Sequence, residues 1–115
     1  MKTMSVTICA ALCLASSCST QKPLYSWDKY NNASYSYLKN SDEAALQELI
    51  KTYQKIIAKQ TGSRGVVPPG IYADYGFLLL QADKISEGKA MLLKELELYP
   101  ESKVFVDRIL KMFEK

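Results

Sequence analysis

A chain of 115 residues with a formal net charge of +3 has room for one small hydrophobic core and no second domain. Its basic residues are dispersed instead of gathered on one face, which argues against nucleic acid as a partner. Histidine is absent, removing the commonest general base and metal ligand. Nothing after Cys18 is a cysteine, so the chain beyond it can form neither an internal disulfide nor a thiolate metal site.

Met1-Lys2-Thr3 supplies a short positive start, and Val6 to Ala15 is an apolar run of ten residues. Crossing about 30 Å of hydrocarbon takes about 20 apolar residues, so this run reads as the core of a secretory signal peptide. It leads through small residues, Ala15-Ser16-Ser17, into Cys18. That resembles the lipobox of bacterial lipoproteins, with Ala15 where leucine is usual. The resemblance implies a signal peptide over residues 1–17, removed by cleavage before a Cys18 that carries lipid. Ordinary cleavage near Ala15 or Ser17 is the competing reading and leaves a free thiol. One acyl chain gives marginal membrane binding, whereas two or three make dissociation negligible. Ser19 stands where aspartate would signal inner-membrane retention, so the same resemblance points to the outer membrane, facing the periplasm.

Residues 18–24 read as a lipidated tether with Pro23 as a breaker, and residues 25–115 as one helical domain. Ser26 can cap a first helix, with Asp28 in its first turn and Trp27, Tyr30, Ser34, Tyr37 and Leu38 at helical spacing. Asn40-Ser41 ends it, and Asp42 and Glu43 suit the positive end of a second helix. There Leu46, Leu49, Ile50, Tyr53, Ile56 and Ile57 make one apolar stripe, with Lys51, Lys55 and Lys59 on the solvated side and Gly62 as a stop. Residues 61–70 form a long loop. Pro69 or Gly70 then opens a third helix to Ala82, apolar nearly all round and expected to be the most buried. Gly76 in its middle predicts close approach of a neighbouring backbone. Asp83 starts a fourth helix with Ile85, Gly88, Leu92, Leu96 and Tyr99 on one face, ended by Pro100. Ser102 caps a fifth, in which Phe105, Ile109, Met112 and Phe113 line up. The expected fold is all-α, an antiparallel array of about five helices with short turns.

Residues 69–102 resemble a tetratricopeptide repeat, a 34-residue pair of helices. Gly76 and Pro100 have the expected separation, Tyr72 and Tyr75 fall where large residues belong, and Leu79 and Leu92 fit. Gly88 and Glu95 stand where alanine is usual. A plain helical bundle fits the pattern as well. Taken together, the lipobox, Tyr25-Ser26-Trp27-Asp28-Lys29-Tyr30, Pro68-Pro69-Gly70-Ile71-Tyr72 and Tyr99-Pro100-Glu101-Ser102 look like the small bacterial lipoproteins of domain-of-unknown-function family 4810. Members are typically encoded beside an outer-membrane lipoprotein similar to the curli secretion channel. The resemblance implies an accessory role in a cell-envelope assembly with that lipoprotein as partner, and it transfers no active-site residues.

The candidate sites follow from residue type. Trp27, Tyr30 and Tyr37 can pack on the second helix, while Tyr25 and Tyr35 lie off that stripe and can present amphipathic rings to a partner. Tyr25, Trp27, Tyr30 and Tyr35, with Arg64, Val66 and Val67 of the long loop, are therefore the candidate partner-binding residues. Pro69, Gly70, Tyr72, Gly76 and Pro100 are structural. Glu43, Glu48, Glu95 and Glu97 are helical carboxylates with no reason to be perturbed. No catalytic constellation, phosphate loop, metal-ligand spacing or cofactor motif is visible. The expectation is a non-enzymatic, membrane-anchored interaction module. A pilotin-like chaperone for an outer-membrane subunit and a periplasmic peptide or glycan binder are the alternatives.

Overall fold

The computed structural model describes residues 22–114, and within them the secondary structure is helical. Five α-helices follow one another: α1 (Tyr30–Asn40), α2 (Glu43–Ala58), α3 (Ile71–Gln81), α4 (Ile85–Leu98) and, after a 3₁₀ turn at Pro100–Ser102, α5 (Lys103–Met112). No strand occurs among the described residues. The fold is an all-α array in which α1–α2 and α3–α4 form two antiparallel hairpins, and α5 packs on α4.

Local chemistry accounts for the first hairpin. Ser41 takes a left-handed conformation (φ 50°) and its N–H donates to Tyr37 O, closing α1. One residue later the Asp42 carboxylate accepts the Ala45 N–H at 2.7 Å, satisfying a donor that the start of α2 would otherwise leave free. The α2 stripe is oriented as its spacing predicts: Leu49, Tyr53 and Ile56 are buried, and Leu46, Ile50 and Ile57 are half-buried.

Helix α3 holds the molecule together because it has two apolar faces. Ile71, Tyr75 and Leu79, four residues apart, enter a core with Ala33, Leu49, Tyr53, Ile56 and Val67. Ala73 and Leu80 enter a second core with Leu92, Val106 and Ile109. Between the two faces, Gly76 meets Gly88 of α4. A Cβ on Gly76 would lie 2.9 Å from Gly88 O, and a Cβ on Gly88 would lie 2.9 Å from Gly76 O. The expected close approach is therefore reciprocal, with glycine needed on both helices.

Four boundaries and one helix register differ from the sequence expectation. The first helix begins at Tyr30 rather than Ser26. Asp28 is left-handed (φ 47°), and both backbone groups of Ser26 are held by the Gln60 side chain. The stripe on α1 is consequently Tyr30, Ala33 and Tyr37, with Trp27 outside the helix and Leu38 75% exposed. At the start of α4, Asp83 is left-handed (φ 65°) and the helix begins two residues later. Ser102 belongs to the 3₁₀ turn and makes no side-chain cap. Finally, α5 is rotated from the expected register: Val106 and Ile109 are buried, with Leu110 and Phe113 against them. Phe105 and Met112 are left exposed. Gly62 also does not stop α2, which ends at Ala58.

Candidate functional site

The α1–α2 and α3–α4 hairpins stack so that α1, α3 and α5 contribute neighbouring walls to one open groove. Its first part is a hollow of about 340 Å³ between Tyr30, Ser34, Tyr37 and Leu38 of α1 and Asp74, Phe77 and Leu78 of α3, with Leu49 and Tyr53 of α2 also lining it. Its second part, about 190 Å³, continues from Asp74 and Phe77 to Phe105, Ile109 and Met112 of α5. The second part is apolar apart from Asp74, the first mixes apolar side chains with Ser34, Asp74 and Gln81, and three large apolar side chains at the groove (Leu38, Phe105, Met112) are exposed to solvent. Another hollow, of about 420 Å³, lies at the C-terminal edge between α4 and α5 and draws its lining from Lys89, Leu93, Leu110, Phe113 and Glu114.

The polar centre of the groove is Asp74. The Tyr30 hydroxyl donates to its Oδ2 at 2.8 Å. Burial pushes the Asp74 carboxyl above its ordinary value, and the bond from Tyr30 opposes that shift. The same proximity raises Tyr30, whose burial is the larger cause. Among the described residues the one ion pair is Lys103–Asp107 on α5, so no cation of these residues neutralises Asp74. Below it runs a chain of rings, with centroids 5.8 Å apart for Trp27–Tyr30, 5.9 Å for Tyr30–Tyr53 and 5.6 Å for Tyr53–Tyr75. Burial raises the Tyr53 hydroxyl far above its usual range, and Gln54 Nε2 donates to the Tyr75 hydroxyl at 3.2 Å. The Tyr30 and Tyr53 phenols therefore stay protonated at neutral pH.

A second carboxylate departs from expectation. Glu95 is 1% exposed; its Oε1 accepts the Gly70 N–H at 2.8 Å, and its Oε2 is buried without a partner. Burial raises its pKa, the Gly70 and Ala73 N–H groups and Ser102 lower it, and Asp74 raises it. Glu95 is therefore a latch from α4 to the start of α3, where Gly70 caps the helix with φ 94°. The Tyr99 hydroxyl makes a second tie, donating to Val67 O at 2.7 Å.

The candidate partner-binding residues separate into four groups. Tyr30 lines the groove. Tyr35 is 65% exposed on α1 and Trp27 stands before that helix, exposed. Tyr25 and Arg64 form a pair, with Arg64 Nη1 donating to the Tyr25 hydroxyl at 2.8 Å and the guanidinium 5.8 Å from the ring centroid. Val67 is buried in the first core and Val66 is half-buried, so the loop turns its apolar side chains inward. Cys18 lies outside the described residues. Of the structural set, Gly76 is buried at the helix crossing and Tyr72 is half-buried beside Lys94, while Pro69 and Pro100 are exposed at the starts of their helices. Sequence reasoning missed Asp74, Phe77 and Leu78 as groove residues. Asp74 in an otherwise apolar helix was the available signal.

Among the described residues no group of histidine, cysteine, aspartate and glutamate could hold a metal ion, and no helix is long and apolar enough to cross a membrane. Fold and groove define a class: a small helical-hairpin array with an open apolar groove around one carboxylate. The chain belongs to the family described as Domain of unknown function (DUF4810), whose model matches residues 24–109. No curated protein and no solved structure is similar enough to the chain to count as a match.

Proposed function

We propose that this protein is a lipid-anchored accessory subunit of a cell-envelope assembly, non-enzymatic, held at the periplasmic face of the outer membrane through Cys18. Its groove across α1, α3 and α5 docks a partner protein, for which a curli-secretion-channel-like lipoprotein is the first candidate. The observation that carries this reading is the groove itself, where exposed Leu38, Phe105 and Met112 flank a half-buried carboxylate that no cation among the described residues pairs. Solvent-exposed apolar side chains around a groove favour burial against another surface. An Asp74 left without a neighbouring cation favours a partner segment that carries lysine or arginine among its apolar residues.

The test is affinity capture of the tagged full-length protein from mildly crosslinked, detergent-solubilised envelopes, beside Cys18→Ala and Leu38→Ser/Phe105→Ser variants. Burying a large apolar side chain is worth about 1.5–3 kcal/mol. Loss of two anchors should therefore weaken capture on the order of 100-fold while the melting temperature stays put, because both side chains are already exposed. Equal recovery of the same partner by wild type and the groove variant would refute the groove as the docking surface.

A further inference from the structure

The segment preceding α1 is stitched to the loop after α2. Ser63 N–H donates to Pro23 O at 2.9 Å and Arg64 N–H to Leu24 O at 3.1 Å. The Gln60 side chain accepts from Ser26 N–H at 3.1 Å and donates to Ser26 O at 2.9 Å. Gly62 packs so closely on Leu24 and Tyr25 that a Cβ there would collide with their backbone. The chain is therefore fixed to the domain from Pro23 onward. Five peptide units separate Pro23 from Cys18, and fully extended they span about 17 Å. A lipid on Cys18 would therefore hold this edge of the domain within about 17 Å of the bilayer surface.

What lies at that edge suits a lipid surface. Leu24 and Trp27 are exposed, and Tyr25 stacks edge-on to Trp27 with centroids 6.4 Å apart. Aromatic side chains with one polar end favour the headgroup level of a bilayer. Arg64 lies over Tyr25, Lys22 is exposed just before Pro23, and Lys55 and Lys59 line a hollow with Ser26 and Asp28. Asp28, together with Glu101 near Tyr25, is the opposing charge at this edge. Cations exceed acids there, and basic groups next to a membrane anchor are drawn to anionic headgroups.

We infer that the edge formed by residues 22–28 and 60–64 lies on the leaflet that holds the Cys18 lipid, with Leu24 and Trp27 at the acyl boundary and Lys22 and Arg64 on anionic headgroups. This rests on the anchoring reading above, and it reassigns Tyr25, Trp27 and Arg64 from a protein partner to the membrane. The partner-docking groove is a separate surface built on α1, α3 and α5.

Trp27 is the only tryptophan, so its emission reports this edge directly. The protein extracted from envelopes is reconstituted into vesicles of phosphatidylethanolamine with phosphatidylglycerol, floated on a density gradient, and read with bromine-labelled lipid as quencher. The expected result is co-flotation with loss of Trp27 emission to the brominated lipid, smaller in phosphatidylcholine vesicles and smaller in Lys22→Glu/Arg64→Glu. Co-flotation with unquenched Trp27 overturns the apposed edge while the anchor stands. Failure to co-float overturns the anchor and the inference together. Equal quenching in the charge-reversed variant and in phosphatidylcholine overturns the role given to the basic groups.

Discussion

Glu95 keeps one oxygen on the Gly70 N–H and buries the other without a partner, so the protonated form is the better guest of its site. Its folded pKa stands above the ordinary 4.5. Stability from this group is therefore complete below that ordinary value and declines as pH rises through the native value. Asp74 contributes in the same direction from its ordinary 3.8. Glu95→Gln should flatten the fall in melting temperature above pH 4.5, leaving the Asp74 share. A pair of thermal scans across the acid-to-neutral range checks this, and an unchanged slope would contradict the assignment. The sequence marks both positions as unusual, Asp74 as an acid in an apolar helix and Glu95 as a glutamate where the repeat pattern has alanine, but not what surrounds them. The environment of Glu95 comes from Gly70, 25 residues away. Asp74 meets Tyr30 across 44 residues.

At the scale of elements, the α3–α4 crossing depends on two glycines facing each other. Alanine at position 76 would gain about 1 kcal/mol of helix propensity. It would also place a methyl group 2.9 Å from Gly88 O and 3.1 Å from Leu92 Cγ, and such overpacking costs typically about 1–3 kcal/mol. The neighbour at 2.9 Å is backbone and cannot swing away, so the cost wins. Gly76→Ala should lower the urea midpoint, and a rise matching the propensity gain would show that the helices simply separate. Gly76 was legible in the sequence because glycine inside a strongly apolar helix needs a reason. The register of α5 was not. Phe105, Ile109, Met112 and Phe113 satisfy helical spacing, and so do Val106, Ile109, Leu110 and Phe113. Size favours turning Phe105 inward, whereas the smaller Val106 is the one that reaches the second core.

Over the whole molecule, α3 belongs to both cores, so neither hairpin can lose its packing without disturbing the other. Leu92, fully buried on α4, lies in the second core, and Trp27 lies beside the first hairpin. Leu92→Ala should destabilise the protein by about 2–5 kcal/mol. Trp27 fluorescence and far-ultraviolet circular dichroism should still report one coincident transition. Separate midpoints for the two probes would show that the hairpins unfold independently. The same architecture separates the two proposed surfaces: the groove uses α1, α3 and α5, and the anchored edge uses the segment before α1 and the loop after α2.

Much of this protein is written locally. Helix periodicity, Asp42 at a helix start, Ser41 at a helix end and the proline breaks determine an all-α hairpin array, because each signal acts within a few residues. The apolar run Val6–Ala15 that leads to Cys18 is an equally local signal. Only the tertiary structure decides which face of α5 turns inward, why α1 starts at Tyr30, and how Glu95 and Asp74 come to be buried. The last two depend on contacts between residues 25 to 44 positions apart, and the first on Val106 and Ile109 meeting α3 and α4, all set by how the helices stack and encoded by no local period.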